Sequence, residues 1–157
     1  MRDAPFEVTV GGEKFTFSTK SELFIDRDNL DDDLARQAAL YAFFGIRLSA
    51  ELKKEKAILE ADYEELFNRL DQEVRPTFKT KPTETEIKNK IKTDPRIIVL
   101  SKKLTKLEFD EYKISIMLKA LEQRKDMLKA LSMNRSMERT MPSSDEIERM
   151  KSNLLGR

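Results

Sequence analysis

Two stretches of this 157-residue chain, about 31–75 and 95–137, carry apolar side chains every three or four residues with scarcely a break. In the first, Leu34, Ala38, Tyr41, Gly45, Leu48 and Leu52 recur at alternating spacings of 4 and 3, and Leu59, Tyr63, Leu66, Leu70 and Val74 continue the stripe. In the second, Leu100, Leu104, Leu107, Glu111, Ile114, Leu118, Leu121, Lys125 and Leu128 keep the same spacing. The period is helical and heptad-like, so each stretch predicts a long amphipathic helix with an apolar seam. Forty-five helical residues extend about 67 Å, whereas a compact globule of this chain length spans only about 40 Å. The expected architecture is therefore mainly α: an elongated helical hairpin that oligomerises. Leu107, Ile114, Leu118, Leu121 and Leu128 are the candidate oligomerisation residues, because their stripe is too long to bury within one hairpin. Glu111 and Lys125 interrupt it, and polar seam positions often specify register or oligomer state.

The ends of these helices are written locally. Asn29 or Asp31 can cap the first, and Asp31–Asp33 place carboxylates at the positive end of its dipole. Those three aspartates point about 100° apart, so they do not converge on a metal ion. Pro76 ends the first helix and opens a basic elbow, 76–94. Within it Thr83 and Glu86 form a capping box ahead of a short helix with Ile87 and Ile91 on one face. Asp94-Pro95 then caps and starts the last long helix. Upstream, "FEVTVGGEKFTF" alternates apolar and polar residues about Gly11-Gly12 and predicts a β-hairpin. Its Phe6, Val8, Phe15 and Phe17 need helices or a neighbouring subunit to pack on. The expected boundaries are 1–19 for the hairpin extension, 20–141 for the helical domain, and 142–157 for a tail or short helix.

Composition removes whole classes of function. The chain has no Cys and no His, so disulfides, thiolate nucleophiles, Cys/His zinc sites and imidazole bases are out. Gly11-Gly12 is followed by neither a helix nor Lys-Ser/Thr at phosphate-loop spacing. The exposed helix carboxylates have no nearby base or nucleophile. No catalysis, cofactor or metal is expected. No apolar run approaches the ~18 residues of a membrane span and no signal peptide opens the chain, so a cytoplasmic protein without membrane contact is expected.

The net charge of +1 conceals a partition. Residues 20–75 hold 9 basic and 14 acidic side chains, whereas residues 76–106 hold 9 basic and 3 acidic. A segregated basic region is a footprint of polyanion binding. The candidate nucleic-acid residues are Arg75, Lys79, Lys81, Lys88, Lys92, Arg96, Lys102, Lys103 and Lys106, with Arg69 just upstream. Phe78 lies among them, as a base-stacking ring or as a pin that holds the loop to the core.

Several short motifs, in order, resemble one family. "FID" at Phe24–Asp26, Leu30, the pair Leu40-Tyr41 and "KKE" at Lys53–Glu55 resemble the opening helix of the UvsY-type recombination mediators of bacteriophages. Thr85 to Arg135 continues the likeness: a short Glu/Lys helix, an Asp-containing break, a long helix, then "RKDMLKAL" leading to "MNR". The resemblance spans roughly Leu23 to Arg139. It implies single-stranded-DNA binding, ring-like homo-oligomers (hexamer or heptamer), and help to a RecA-type recombinase in displacing the single-strand-binding protein, in the host cytoplasm. It also implies no catalysis. The chain departs from the family at Ala61–Arg69, where Asp62, Glu64 and Glu65 stand in place of basic residues and only Arg69 is a cation. The alternative is a helical scaffolding or adaptor protein with no nucleic-acid role, which accounts for the heptads but leaves the basic segment idle.

Overall fold

The structure, a computed structural model, describes residues 5–140; the tail expected at 142–157 lies outside the described residues. A hairpin of β1 (Pro5–Val10) and β2 (Glu13–Ser18) leads through a short α1 (Thr19–Leu23) into the first rod. That rod is continuous from α2 (Leu30–Ala42) through a π-helical stretch (Phe43–Ser49) into α3 (Ala50–Val74). A 3-10 turn, Arg75–Thr77, closes it at Pro76. After the loop come α4 (Glu84–Lys92) and the second rod, α5 (Pro95–Thr140).

The caps of α4 and α5 form as their residues dictate. Thr83 Oγ1 accepts the Glu86 backbone N–H at 3.3 Å, and the Glu86 carboxylate accepts the Thr83 N–H at 2.8 Å, a capping box. Asp94 Oδ1 accepts the Arg96 N–H at 2.8 Å beside Pro95. At α2 the expectation needs correction. Asn29 holds the capping position but makes no side-chain cap bond, and its amide donates instead to Asp26 Oδ2 at 2.9 Å. Asp31 and Asp32 are exposed at the dipole's positive end, whereas Asp33 is buried.

The seam of the first rod is displaced from the one the spacing predicts. Leu30, Asp33, Gln37, Phe44, Leu48 and Leu52 are buried, while Leu34, Ala38 and Tyr41 are exposed and Gly45 is half-buried against Leu118. The cause is the π-helical stretch. Its i→i+5 bonds take one residue more per turn than an α-helix, so a seam counted back from Leu48 at α spacing slips by one position.

The second rod is also corrected. Ile114, Leu121 and Leu128, expected to face other copies, are almost wholly covered within the subunit, and Leu107 and Leu118 are half-buried beside them. The hairpin and α2 supply the cover that two bare helices would lack. Val8 and Val10 join Phe44, Leu48, Leu52, Ile114, Met117 and Leu121 in one core, flanked by Phe6, Phe15, Phe17 and Phe43. Gly11 and Gly12 turn the hairpin at φ 60° and 79°, the left-handed pair that a two-residue turn demands. The outer edge of β1 is tied to α5: Thr9 N–H donates to Asp110 Oδ2 at 3.2 Å, and Lys113 Nζ donates to the Glu7 carbonyl at 2.7 Å. An edge strand's unpaired backbone groups are thereby satisfied.

A polar clamp locks the far end. Arg124, 3% exposed, donates to the Phe24 carbonyl at 2.9 and 3.2 Å, to Gln37 Oε1 at 2.7 Å, to the Asp33 carbonyl at 3.3 Å and to the Asp33 carboxylate. Gln37 Nε2 donates on to the Leu121 carbonyl at 2.7 Å, and Asp33 also accepts the Asp26 N–H. The "FID" and "RKD" segments, 100 residues apart in sequence, therefore meet in one buried network. At the opposite end Leu70, Ile87, Ile91 and Ile97 form a second core that folds the elbow onto the rods.

Candidate nucleic-acid interface

Burial of Ile87 and Ile91 decides which way α4 faces. Lys88 and Lys92 follow those positions on the exposed side, Lys79 and Lys81 stand on the preceding loop, and Lys102, Lys103 and Lys106 occupy the exposed early turns of α5. None of the seven has a carboxylate partner among the described residues. Their field is not spent on internal ion pairs, so it is available to a polyanion.

The arginines behave differently. Arg75 pairs with Asp71 at 2.6 Å and with Glu84 at 3.0 Å, tying the end of α3 to the start of α4. Arg96 pairs with Glu73 at 3.0 Å and with Asp94 at 3.1 Å, tying α5 back to α3. The Arg96 side chain holds the Asp94 carboxyl below its usual range, and the carboxylates around Arg75 and Arg96 raise both guanidinium pKa values. Arg69 pairs with Glu65 at 2.7 Å on the acidic face of α3. Phe78 is half-buried against the second core, with Lys90 Nζ 4.9 Å from its ring centroid. Its ring pins the loop.

Sequence reasoning passed over two other rings. Phe109 and Tyr112 are each 59% exposed on α5, within two turns of Lys106. The signal was legible as "KLEFDEYK", an aromatic pair interleaved with cations. It also passed over a groove of about 780 Å³ on α2, lined by Leu34, Ala38, Tyr41, Ala42, Gly45 and Ile46, with Gln37 and Lys125 also lining it. Ile46 there is 75% exposed. Among the described residues, no helix is long and apolar enough to cross a membrane.

This arrangement, two long helices with a short helix between them, is the fold of a phage recombination mediator. One solved example is the bacteriophage T4 recombination mediator protein UvsY. In one crystal lattice it matches with a TM-score of 0.63 at 19% identity, over 76% of this chain and 90% of that chain. In another the TM-score is 0.61 at 23% identity, over 76% and 91%. At such identities the likeness is one of fold. No protein-family model matches the chain, and no curated protein matches it.

Proposed function

We propose that the chain is a single-stranded-DNA-binding recombination mediator that helps load a RecA-type recombinase onto DNA coated with single-strand-binding protein. One observation carries the reading: on a fold shared with a phage recombination mediator, seven exposed lysines on the elbow and the early turns of α5 have no carboxylate partner among the described residues. Lys79, Lys81, Lys88, Lys92, Lys102, Lys103 and Lys106 track phosphates. Arg75, Arg96 and Arg69 brace the helices and contribute to DNA binding only by trading a carboxylate for a phosphate. The helical unit, residues 20–141, carries this role, and the hairpin serves as its lid.

The protein acts as a homo-oligomer. A ring that repeats one lysine patch gains avidity, because each later contact is effectively intramolecular. Its subunits meet through the α2 groove, where apolar surface stands open, rather than through the α5 seam, which is already covered. The test is an anisotropy titration with labelled single-stranded DNA across a salt series. Log affinity should fall with log salt by about 0.7 per phosphate contacted. Reversing charge at Lys88, Lys92, Lys102 and Lys103 should flatten that slope while leaving the oligomer intact. With binding established, the protein should shorten the lag of recombinase filament assembly on coated DNA. If the chain binds no single strand, the scaffolding reading replaces this one.

A further inference from the structure

The solvent side of α5 carries two rings that the fold does not use. The buried side of this part of the helix runs through Leu104, Leu107 and Ile114, whereas Phe109 and Tyr112 stand 59% exposed. At the helical repeat, Lys102, Lys106, Phe109 and Lys113 fall within about 60° of one another, with Tyr112 about another 60° round. One face of the Phe109 ring is backed by a cation, since Lys113 Nζ lies 4.6 Å from its centroid. That ammonium is itself fixed, by Asp110 Oδ1 at 2.8 Å and the Glu7 carbonyl at 2.7 Å. The ring is thus held in place on one side and open on the other.

We infer that this stripe is a stacking platform for unpaired nucleobases, with Phe109 and Tyr112 as the rings and Lys102 and Lys106 as the phosphate partners. It rests on the single-stranded-DNA reading and adds to it: base stacking contributes affinity without sequence preference, because every base has a π-face. A second copy of the chain fits the stripe poorly. In a two-fold contact, two such stripes would set Lys102 and Lys106 against their like, whereas the α2 groove presents apolar surface with both signs of charge at its rim, Lys125 and the Glu122 that accepts from Tyr41. A duplex fits poorly too, since its bases are already stacked on each other.

The test compares the full wild-type chain with Phe109→Ala/Tyr112→Ala and with Lys102→Gln/Lys106→Gln. Each is titrated with labelled oligothymidylate and with a base-free strand of equal length, and its mass is followed by sedimentation. The aromatic variant should bind oligothymidylate about tenfold or more weakly, with the salt slope and oligomer mass of the wild type. The lysine variant should lose slope instead. The wild type, with no substitution needed, should bind the base-free strand about as weakly as the aromatic variant binds oligothymidylate. Unchanged affinity in the aromatic variant alone removes the platform and leaves the DNA reading standing. A smaller mass for that variant makes the stripe a contact between copies and overturns the inference. Failure of the wild type to bind either strand overturns both readings.

Discussion

Replacing Arg124 with Met is the sharpest probe of how this fold is held. Arg124 and Asp33 are 3% and 6% exposed, so the substitution strands a buried carboxylate and removes all five hydrogen bonds of the guanidinium. Breaking a buried pair from one side costs about 3–5 kcal/mol. For a chain of this size, that corresponds to a fall in Tm of roughly 10 °C. Arg124→Lys should lose less, because it keeps the charge, yet an ammonium cannot reach Phe24, Asp33 and Gln37 with one planar fork. Arg124→Met with Asp33→Leu should recover part of the loss, since replacing both partners by apolar groups is often near neutral. Urea titration followed by far-UV circular dichroism, at one protein concentration, measures all three. Hydrogen exchange at the Asp26 amide, which donates to Asp33, should quicken in the single variant. A single variant within about 1 kcal/mol of wild type, or a double variant worse than both singles, would refute the clamp.

Other outcomes are expected. Ile46→Glu, at a site 75% exposed, should lower the sedimenting mass while leaving the urea midpoint nearly unchanged; an unchanged mass would place the subunit contact elsewhere. Thr83→Ala should destabilise α4 by about 1 kcal/mol, read as faster amide exchange across Glu84–Lys92. Acid should act on the same elbow. The backbone N–H of Thr83 holds the Glu86 carboxyl below its ordinary 4.5, and Arg96 holds Asp94 below 3.8. Both lowered values stabilise the fold at neutral pH and cease to do so as pH falls through the folded values. Protection of the α4 amides, taken relative to their intrinsic exchange rates, should therefore stay flat down to about pH 5 and fall only in stronger acid; a loss of protection already between pH 7 and 5 would contradict the assignment.

What was legible in the sequence was local. The Thr83–Glu86 box, the Asp94-Pro95 start and the glycine turn each depend on residues within a few positions of each other, and each formed. The rods were legible because their period persists for so long. The seam of the first rod was not, because a change from α to π winding at Phe43 leaves no mark in a pattern counted at fixed spacing. Asp33 reads with its neighbours as an exposed carboxylate, and Gln37, Asp110 and Arg124 draw no reading because they are polar, although Arg124 sits three residues after Leu121 and four before Leu128, where a seam residue belongs. The exposure of Lys88 and Lys92 followed from α4's two isoleucines. The pairing of Arg75 and Arg96 did not, since Glu84 and Glu73 lie 9 and 23 residues away.

The π-helical stretch acts as a phase shifter in a rigid shaft. A rod built only of α turns would carry one stripe along one side from end to end. With Phe43–Ser49 wound more loosely, the α2 half is rotated against the α3 half, so one shaft grips α5 at both ends while turning a different apolar strip outward at one of them. Winding these same residues as plain α-helix, with none removed, would rotate everything upstream by about 100°. Asp33 and Gln37 would swing away from Arg124, and Leu34 and Tyr41 would roll toward the interior. The outward groove and the inward clamp are therefore set by the same loose turns, and tightening those turns to α winding would lose both together.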